Sequence, residues 1–137
     1  MARGSKDGPG AAREPKAPPK ILLVEDELAA AEAIGYLLRM NGFQVVSASN
    51  GREALERLPE VRPDLVLTDI MMPWMDGLEL ARHIREQPEL RDLPIVLMSA
   101  AHSILPPETI VSASLPKPID FPKLLATLGR LLGLKNR

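Results

Sequence analysis

The sequence predicts an α/β domain, a doubly wound parallel sheet of five strands, and three observations carry that expectation. Short apolar runs, too brief for helices, recur along the chain. Segments with helical spacing alternate with them, and each run gives way to a polar or charged residue. Five strands alternating with helices call for a sheet covered on both faces, because parallel strands are joined by crossovers that pack against it.

The elements follow in order. Ile21 to Val24 is a continuous apolar run suited to a strand buried on both faces. Leu28 to Met40 places Ala30, Ile34, Leu37 and Leu38 at helical spacing, and Asn41-Gly42 supplies a stop. Phe43 to Ala48 makes a second strand. Asn50, with Glu53 three residues on, predicts a capping box; the helix it starts presents Ala54, Leu55 and Leu58 on one face before Pro59 and Pro63 end it. Leu65 to Leu67 is the third strand. Gly77 to Gln87 is helical with Leu80, Ala81 and Ile84 inward, and Ile95 to Met98 is the fourth strand. Between Ala100 and Ser114, Pro106-Pro107 interrupts any helix, so a shortened or irregular one is expected there. Leu115 and its neighbours form a fifth strand. Asp120 caps a last helix with an apolar stripe of Phe121, Leu124, Leu125, Leu128, Leu131 and Leu132.

Composition narrows the function classes. A chain of 137 residues is expected to hold one domain, with no room for a second effector module. Without cysteine there are no disulfides, thiolate metal sites or thiol nucleophiles. A net charge of −1 lacks the basic excess of a nucleic-acid binder, and no apolar run or leader suggests a membrane span or export signal. A cytoplasmic protein is expected. Residues 1–19 hold four prolines and three glycines, with Arg3, Lys6, Arg13 and Lys16 against Asp7 and Glu14, and read as a disordered tail or linker before a domain over 20–137.

In doubly wound folds, ligands bind beyond the carboxyl ends of the strands. The residues there are Glu25 and Asp26 after the first strand, Asp69 after the third, Ser99 after the fourth and Lys117 after the fifth. Several carboxylates in one cleft require protonation or a cation. A hard divalent ion with oxygen ligands answers that need, magnesium before calcium because the EF-hand spacing is absent. A lysine and a hydroxyl beside such a cluster suit a phosphoryl group attacked by a carboxylate, with Asp69 as nucleophile, Lys117 neutralising charge and Ser99 bonding a phosphoryl oxygen.

The stretches ILLVEDE, LTDIMMPWMDG, VLMSA and LPKPI, with 43 residues from Asp26 to Asp69 and 30 from Asp69 to Ser99, resemble the receiver domains of two-component response regulators, the CheY-like superfamily of flavodoxin-like (βα)5 fold. The resemblance runs from about Lys20 to the end. It implies that Asp69 takes a phosphoryl group from the phosphohistidine of a sensor histidine kinase or phosphotransfer protein. It also implies that Asp26, Asp69 and the backbone carbonyl of Met71 ligate Mg2+, with Glu25 acting mostly through water, and that the Lys117-Pro118 bond is cis and aims the lysine. A downstream protein partner, no direct contact with nucleic acid, and a monomer or weak dimer complete the expectation.

Three departures stand out. Ser114 occupies the position where the family usually has an aromatic switch residue, beside the access region of Ser99 and Ala100. The 18 residues from Ser99 to Lys117 are fewer than the family's usual connection, and Trp74 stands where glycine is usual. Ser114 and the short connection favour an alternative, a pseudo-receiver or constitutive protein-interaction module. A dehalogenase-type aspartate-nucleophile phosphatase fits less well, since that class needs a second aspartate two residues after the nucleophile and Met71 stands there. The domain is therefore expected to act as a phosphoacceptor rather than an enzyme. If the chain is whole, its output is a protein contact made by the domain itself.

Overall fold

The computed structural model describes residues 18–100 and 110–134. The elements run β1 (Lys20–Val24), α1 (Leu28–Met40), β2 (Gln44–Ala48), α2 (Gly51–Val61), β3 (Leu65–Asp69), α3 (Gly77–Arg85), a 3-10 turn (Pro88–Leu90), β4 (Ile95–Ser99), β5 (Ala113–Pro116) and α4 (Phe121–Leu132). All neighbouring strands pair in parallel, in the order β2-β1-β3-β4-β5. The doubly wound sheet is the one expected, with four α-helices among the described residues. The expected irregular helix falls mostly on 101–109 and the expected tail over 1–19 mostly on 1–17, and these stretches lie outside the described residues.

The alternation of side chains along each central strand builds two cores. Leu22, Val24, Val66, Ile95 and Leu97 point to one face, against Ala54 and Leu58 of α2 and Leu80, Ala81 and Ile84 of α3. Ile21, Leu23, Leu65, Leu67, Val96 and Met98 point to the other, against Ala31 and Leu38 of α1 and Leu124 and Leu128 of α4. Each fully buried aliphatic side chain contributes about 1.5–3 kcal/mol. The three central strands are apolar on both faces, which is why they read as unbroken runs. In the edge strand β2 the polar Gln44 and Ser47 are exposed. Two arginines close that edge: Arg39 of α1 donates to the Val45 carbonyl at 3.4 Å, and Arg57 of α2 donates to the Ser47 carbonyl at 2.9 Å.

Several boundaries differ from expectation for local reasons. α2 does not end before Pro59 but carries it to Val61, where Arg62 in the left-handed conformation closes the helix. Pro59 withholds one N–H from the helix, while burial of Leu58 and Val61 on either side holds the turn. The capping box expected at Asn50 is half made: Asn50 accepts from the Glu53 N–H, but the Glu53 carboxylate turns to the Ser49 N–H and hydroxyl. The reciprocal box is at Asp76 and Glu79 instead. α3 stops at Arg85 rather than Gln87, because Pro88 draws the chain into the 3-10 turn. Phe43 lies just before β2 rather than in it. Of the apolar residues read at helical spacing on α1, Leu37 is 39% exposed; the buried positions are Ala31, Gly35 and Leu38.

Candidate functional site

The carboxyl ends of β1, β3 and β5 gather the charged residues. β1 ends at Val24, and the next peptide keeps sheet geometry because the Glu25 N–H donates to the Ala48 carbonyl of β2. Glu25 is buried there while Asp26 faces solvent. β3 runs two residues longer than the apolar pattern predicts, so Asp69 is its last residue, paired in register with Met98. One carboxylate oxygen each from Glu25, Asp26 and Asp69 lies within 4.8 Å of the others. Lys117, just past β5, reaches in from the opposite side: its Nζ is 2.9 Å from Asp69 Oδ1 and 3.8 Å from Glu25 Oε1. The Lys117-Pro118 peptide is cis, and the Lys117 N–H donates to the Ser99 carbonyl at 2.7 Å.

Asp69 is held from several sides. Its Oδ1 accepts from the Ile70 N–H at 2.9 Å as well as from Lys117, while no bond to Oδ2 is made among the described residues. Behind it, Gly77 opens α3 so close that an added Cβ would lie 2.2 Å from the Asp69 carbonyl oxygen. Gly77 also donates its N–H to the Ile70 carbonyl, returning the loop to the strand end. The sequence pattern missed this role for Gly77. Gly77 was visible as the first residue of a helix, but the approach to Asp69 is a tertiary fact.

The electrostatics are those of a crowded anion site. At an effective dielectric of 20, two carboxylates ~5 Å apart repel by ~3 kcal/mol. Burial pushes the Glu25 carboxyl above its ordinary pKa, partly opposed by the hydrogen bond from the Glu27 N–H and reinforced by the Asp69 charge. For Lys117, burial works against the charge. The hydrogen bond and charge of Asp69, together with Glu25 and Asp26, outweigh it and hold the ammonium above its ordinary pKa. Glu25 Oε1 is the one buried side-chain polar atom without a hydrogen bond among the described residues. A buried anionic oxygen with no donor, in a set of hard oxygen ligands, fits a small divalent cation.

The other sequence-derived candidates sit on, or in the loops after, β3, β4 and β5. Ser99 is buried as the last residue of β4, and Ala100 after it is exposed. Ser114 is half-buried in β5, registered against Leu97. Met71, two residues past Asp69, has an exposed side chain. Trp74 is 80% exposed with φ of 66°, the left-handed region that favours glycine.

The family model for the response regulator receiver domain matches residues 21–128. The chain belongs to the response regulator receiver family. A relative from Mycolicibacterium vanbaalenii named response regulator MprA is 40% identical over 119 residues, covering 84% of this chain and 51% of its own length. The chain thus spans about half the length of the curated relatives it matches. The signal receiver domain of a histidine kinase from Syntrophus aciditrophicus superposes with a TM-score of 0.75 at 34% identity, covering 87% of this chain and 94% of that one. The response regulator TrrA of Thermotoga maritima, whose structure holds Mg2+ and BeF, does so with a TM-score of 0.74 at 32% identity, covering 83% and 99%. The receiver is a two-component signalling domain, and no helix among its described residues is long and apolar enough to cross a membrane.

Proposed function

We propose that Asp69 is the phosphoacceptor of this receiver, charged from the phosphohistidine of a sensor histidine kinase or phosphotransfer protein in the cytoplasm. The observation that carries it is the asymmetric hold on Asp69: Oδ1 is engaged by Lys117 and the Ile70 N–H, leaving Oδ2 for chemistry. A lone pair of Oδ2 attacks phosphorus, the new O–P bond forms, the P–N bond breaks, and its electron pair leaves on the imidazole. The Lys117 ammonium stays beside the acyl phosphate and balances charge on its oxygens, while the Ser99 hydroxyl donates to one of them. Mg2+ held by Glu25, Asp26, Asp69 and the Met71 carbonyl would supply the positive charge that the phosphoryl oxygens and crowded carboxylates both need.

Residues 20–137 form the receiver in this proposal, with 1–19 a tail or linker, and the domain acts as a phosphoacceptor that switches a downstream protein contact, not as an enzyme on a separate substrate. Ser114, in place of an aromatic, supports a second reading as a constitutive interaction module. One experiment separates them: intact mass after incubation with Mg2+ and acetyl phosphate, for wild type and Asp69→Asn. A phosphoryl mass on wild type alone is expected. Wild type that never gains it defeats the phosphoacceptor reading and leaves the interaction module.

A further inference from the structure

The two ends of the sheet differ in charge. At the carboxyl ends of the strands, where Asp69 stands, the loops and first helical turns add Glu27, Glu53, Asp76, Glu79 and Asp120 to the three carboxylates of the cluster. Against them stand three cations, Arg52, Lys117 and Lys123. The other charges of the described residues, eight cations and seven carboxylates, nearly cancel. Four helix N-termini at about half a positive charge each, and a divalent ion in the cluster, lessen the excess without reversing it.

Trp74 stands at the same end, in the loop from Asp69 to α3, and its backbone is strained. The loop is pinned around it: Gly77 donates to the Ile70 carbonyl at 2.9 Å, and Met72 and Met75 pack against the core. Met75 seats so close to Gly51 that a Cβ there would lie 2.7 Å from the Met75 carbonyl oxygen. Within the loop the Met75 N–H donates to the Pro73 carbonyl at 2.7 Å, a γ-turn centred on Trp74 at φ of 66°. Positive φ is costly for a bulky side chain, and at 80% exposure the indole recovers little of that cost by burial in this domain. Residues 70–79 hold Asp76 and Glu79 and no cation. An open indole face in an acidic stretch suits a guanidinium or ammonium group.

We propose that this end selects a phosphodonor protein whose face around the phosphohistidine is basic, with an arginine or lysine of the donor seated on the Trp74 ring. The proposal rests on the phosphoacceptor reading of Asp69, since a donor must bring its histidine over the carboxyl ends of the strands. The phosphoryl group carries further negative charge into an end that already has an excess. Cations flanking the histidine offset that repulsion, and charges at an exposed rim act chiefly by steering the encounter.

Two helical peptides test this, each with one histidine, flanked by arginines in one and by glutamates in the other. Binding to the full chain in Mg2+ is read by anisotropy of a dye on the peptide. The arginine peptide should bind at least tenfold more tightly and weaken as salt rises from about 20 to about 500 mM. Trp74 is the chain's one tryptophan, so its emission should change with that peptide. Trp74→Leu should weaken the arginine peptide about two- to fivefold. Glu79→Lys should weaken it about fivefold, whereas Glu89→Lys, at the amino ends of the strands, should stay within about twofold of wild type. Equal binding of the two peptides, a Trp74→Leu variant that binds as wild type does, or equal losses at Glu79 and Glu89 overturns the proposal. Melting temperature verifies folding of each variant. Labelling by acetyl phosphate reads Asp69 separately: wild type that labels without a peptide preference defeats this proposal alone. Wild type that prefers the arginine peptide but never labels overturns the phosphoacceptor reading and, with it, the donor named here.

Discussion

Glu25→Gln should stabilise the protein when divalent metal is removed, although the residue belongs to the proposed metal site. In the structure Glu25 is 4% exposed, its Oε1 has no donor, and its Oε2 accepts from the Glu27 N–H at 3.2 Å. Glutamine keeps an acceptor for Glu27 and turns the orphaned acceptor into a donor facing the carboxylates of Asp26 and Asp69. An unsatisfied buried polar atom costs about 1–3 kcal/mol, and in a domain of this size each kcal/mol moves Tm by about 4 °C, so Tm in EDTA should rise by about 4–12 °C. The pH dependence has a definite sign. Because burial raises the folded-state pKa of Glu25 above the ordinary 4.5, the folded protein binds that proton more tightly than the unfolded chain. The cost of ionising Glu25 is absent below 4.5, grows as pH rises toward the raised value, and is complete above it. The gain from Glu25→Gln should follow that course. In Mg2+ the order should reverse, because metal at a hundred times its Kd stabilises wild type by about 2.7 kcal/mol and the variant has lost a ligand. Calorimetry in EDTA and in Mg2+, at several pH values, gives all these quantities. A variant less stable than wild type in EDTA at neutral pH, or one that keeps the full Mg2+ response, would refute the reasoning.

Two further outcomes are expected. Gly77→Ala places a methyl 2.2 Å from the Asp69 carbonyl oxygen and 3.0 Å from the Ile70 Cα, both backbone atoms, so the strand end must shift. A loss of about 1–3 kcal/mol in urea unfolding and about tenfold slower labelling by acetyl phosphate should result. Glu53 has its pKa lowered by the hydrogen bonds from the Ser49 N–H and hydroxyl, so its stabilisation is present above 4.5 and lost as pH falls through the depressed value. The Tm difference between wild type and Glu53→Gln should close over that acid window; a gap that persists at the acid end would count against the assignment.

Much of the fold was legible because the central strands are apolar on both faces, so Ile21–Val24 and Ile95–Met98 stand out without any periodicity argument. The site was legible for a related reason. Glu25, Asp69 and Ser99 interrupt apolar runs abruptly, and parallel topology brings such interruptions together. What stayed hidden depended on tertiary context. Pro59 reads locally as a helix end, but packing of Leu58 and Val61 carries the helix past it. Glu53 has the spacing of a capping-box partner, yet nothing in that spacing says its carboxylate will choose Ser49. The long reach of β3 to Asp69 comes from pairing with β4, and Gly77 matters because of what lies behind it in space. Leu37 shows the reverse failure, an apolar residue at helical spacing that the structure leaves half outside.

Arg39 and Arg57 have a consequence for how this domain meets others. A β-sheet grows by adding a strand to an open edge, where free carbonyls and N–H groups template the newcomer. Here the Val45 and Ser47 carbonyls at the β2 rim already have guanidinium partners from the helices on both faces. An intruding strand must displace two cations before it gains its own bonds. At the opposite rim β5 is four residues long and ends at Pro116, which has no N–H to offer. Fibre-like stacking through the sheet is therefore disfavoured at either rim, and a domain kept at high local concentration is steered toward contacts made by helices and loops.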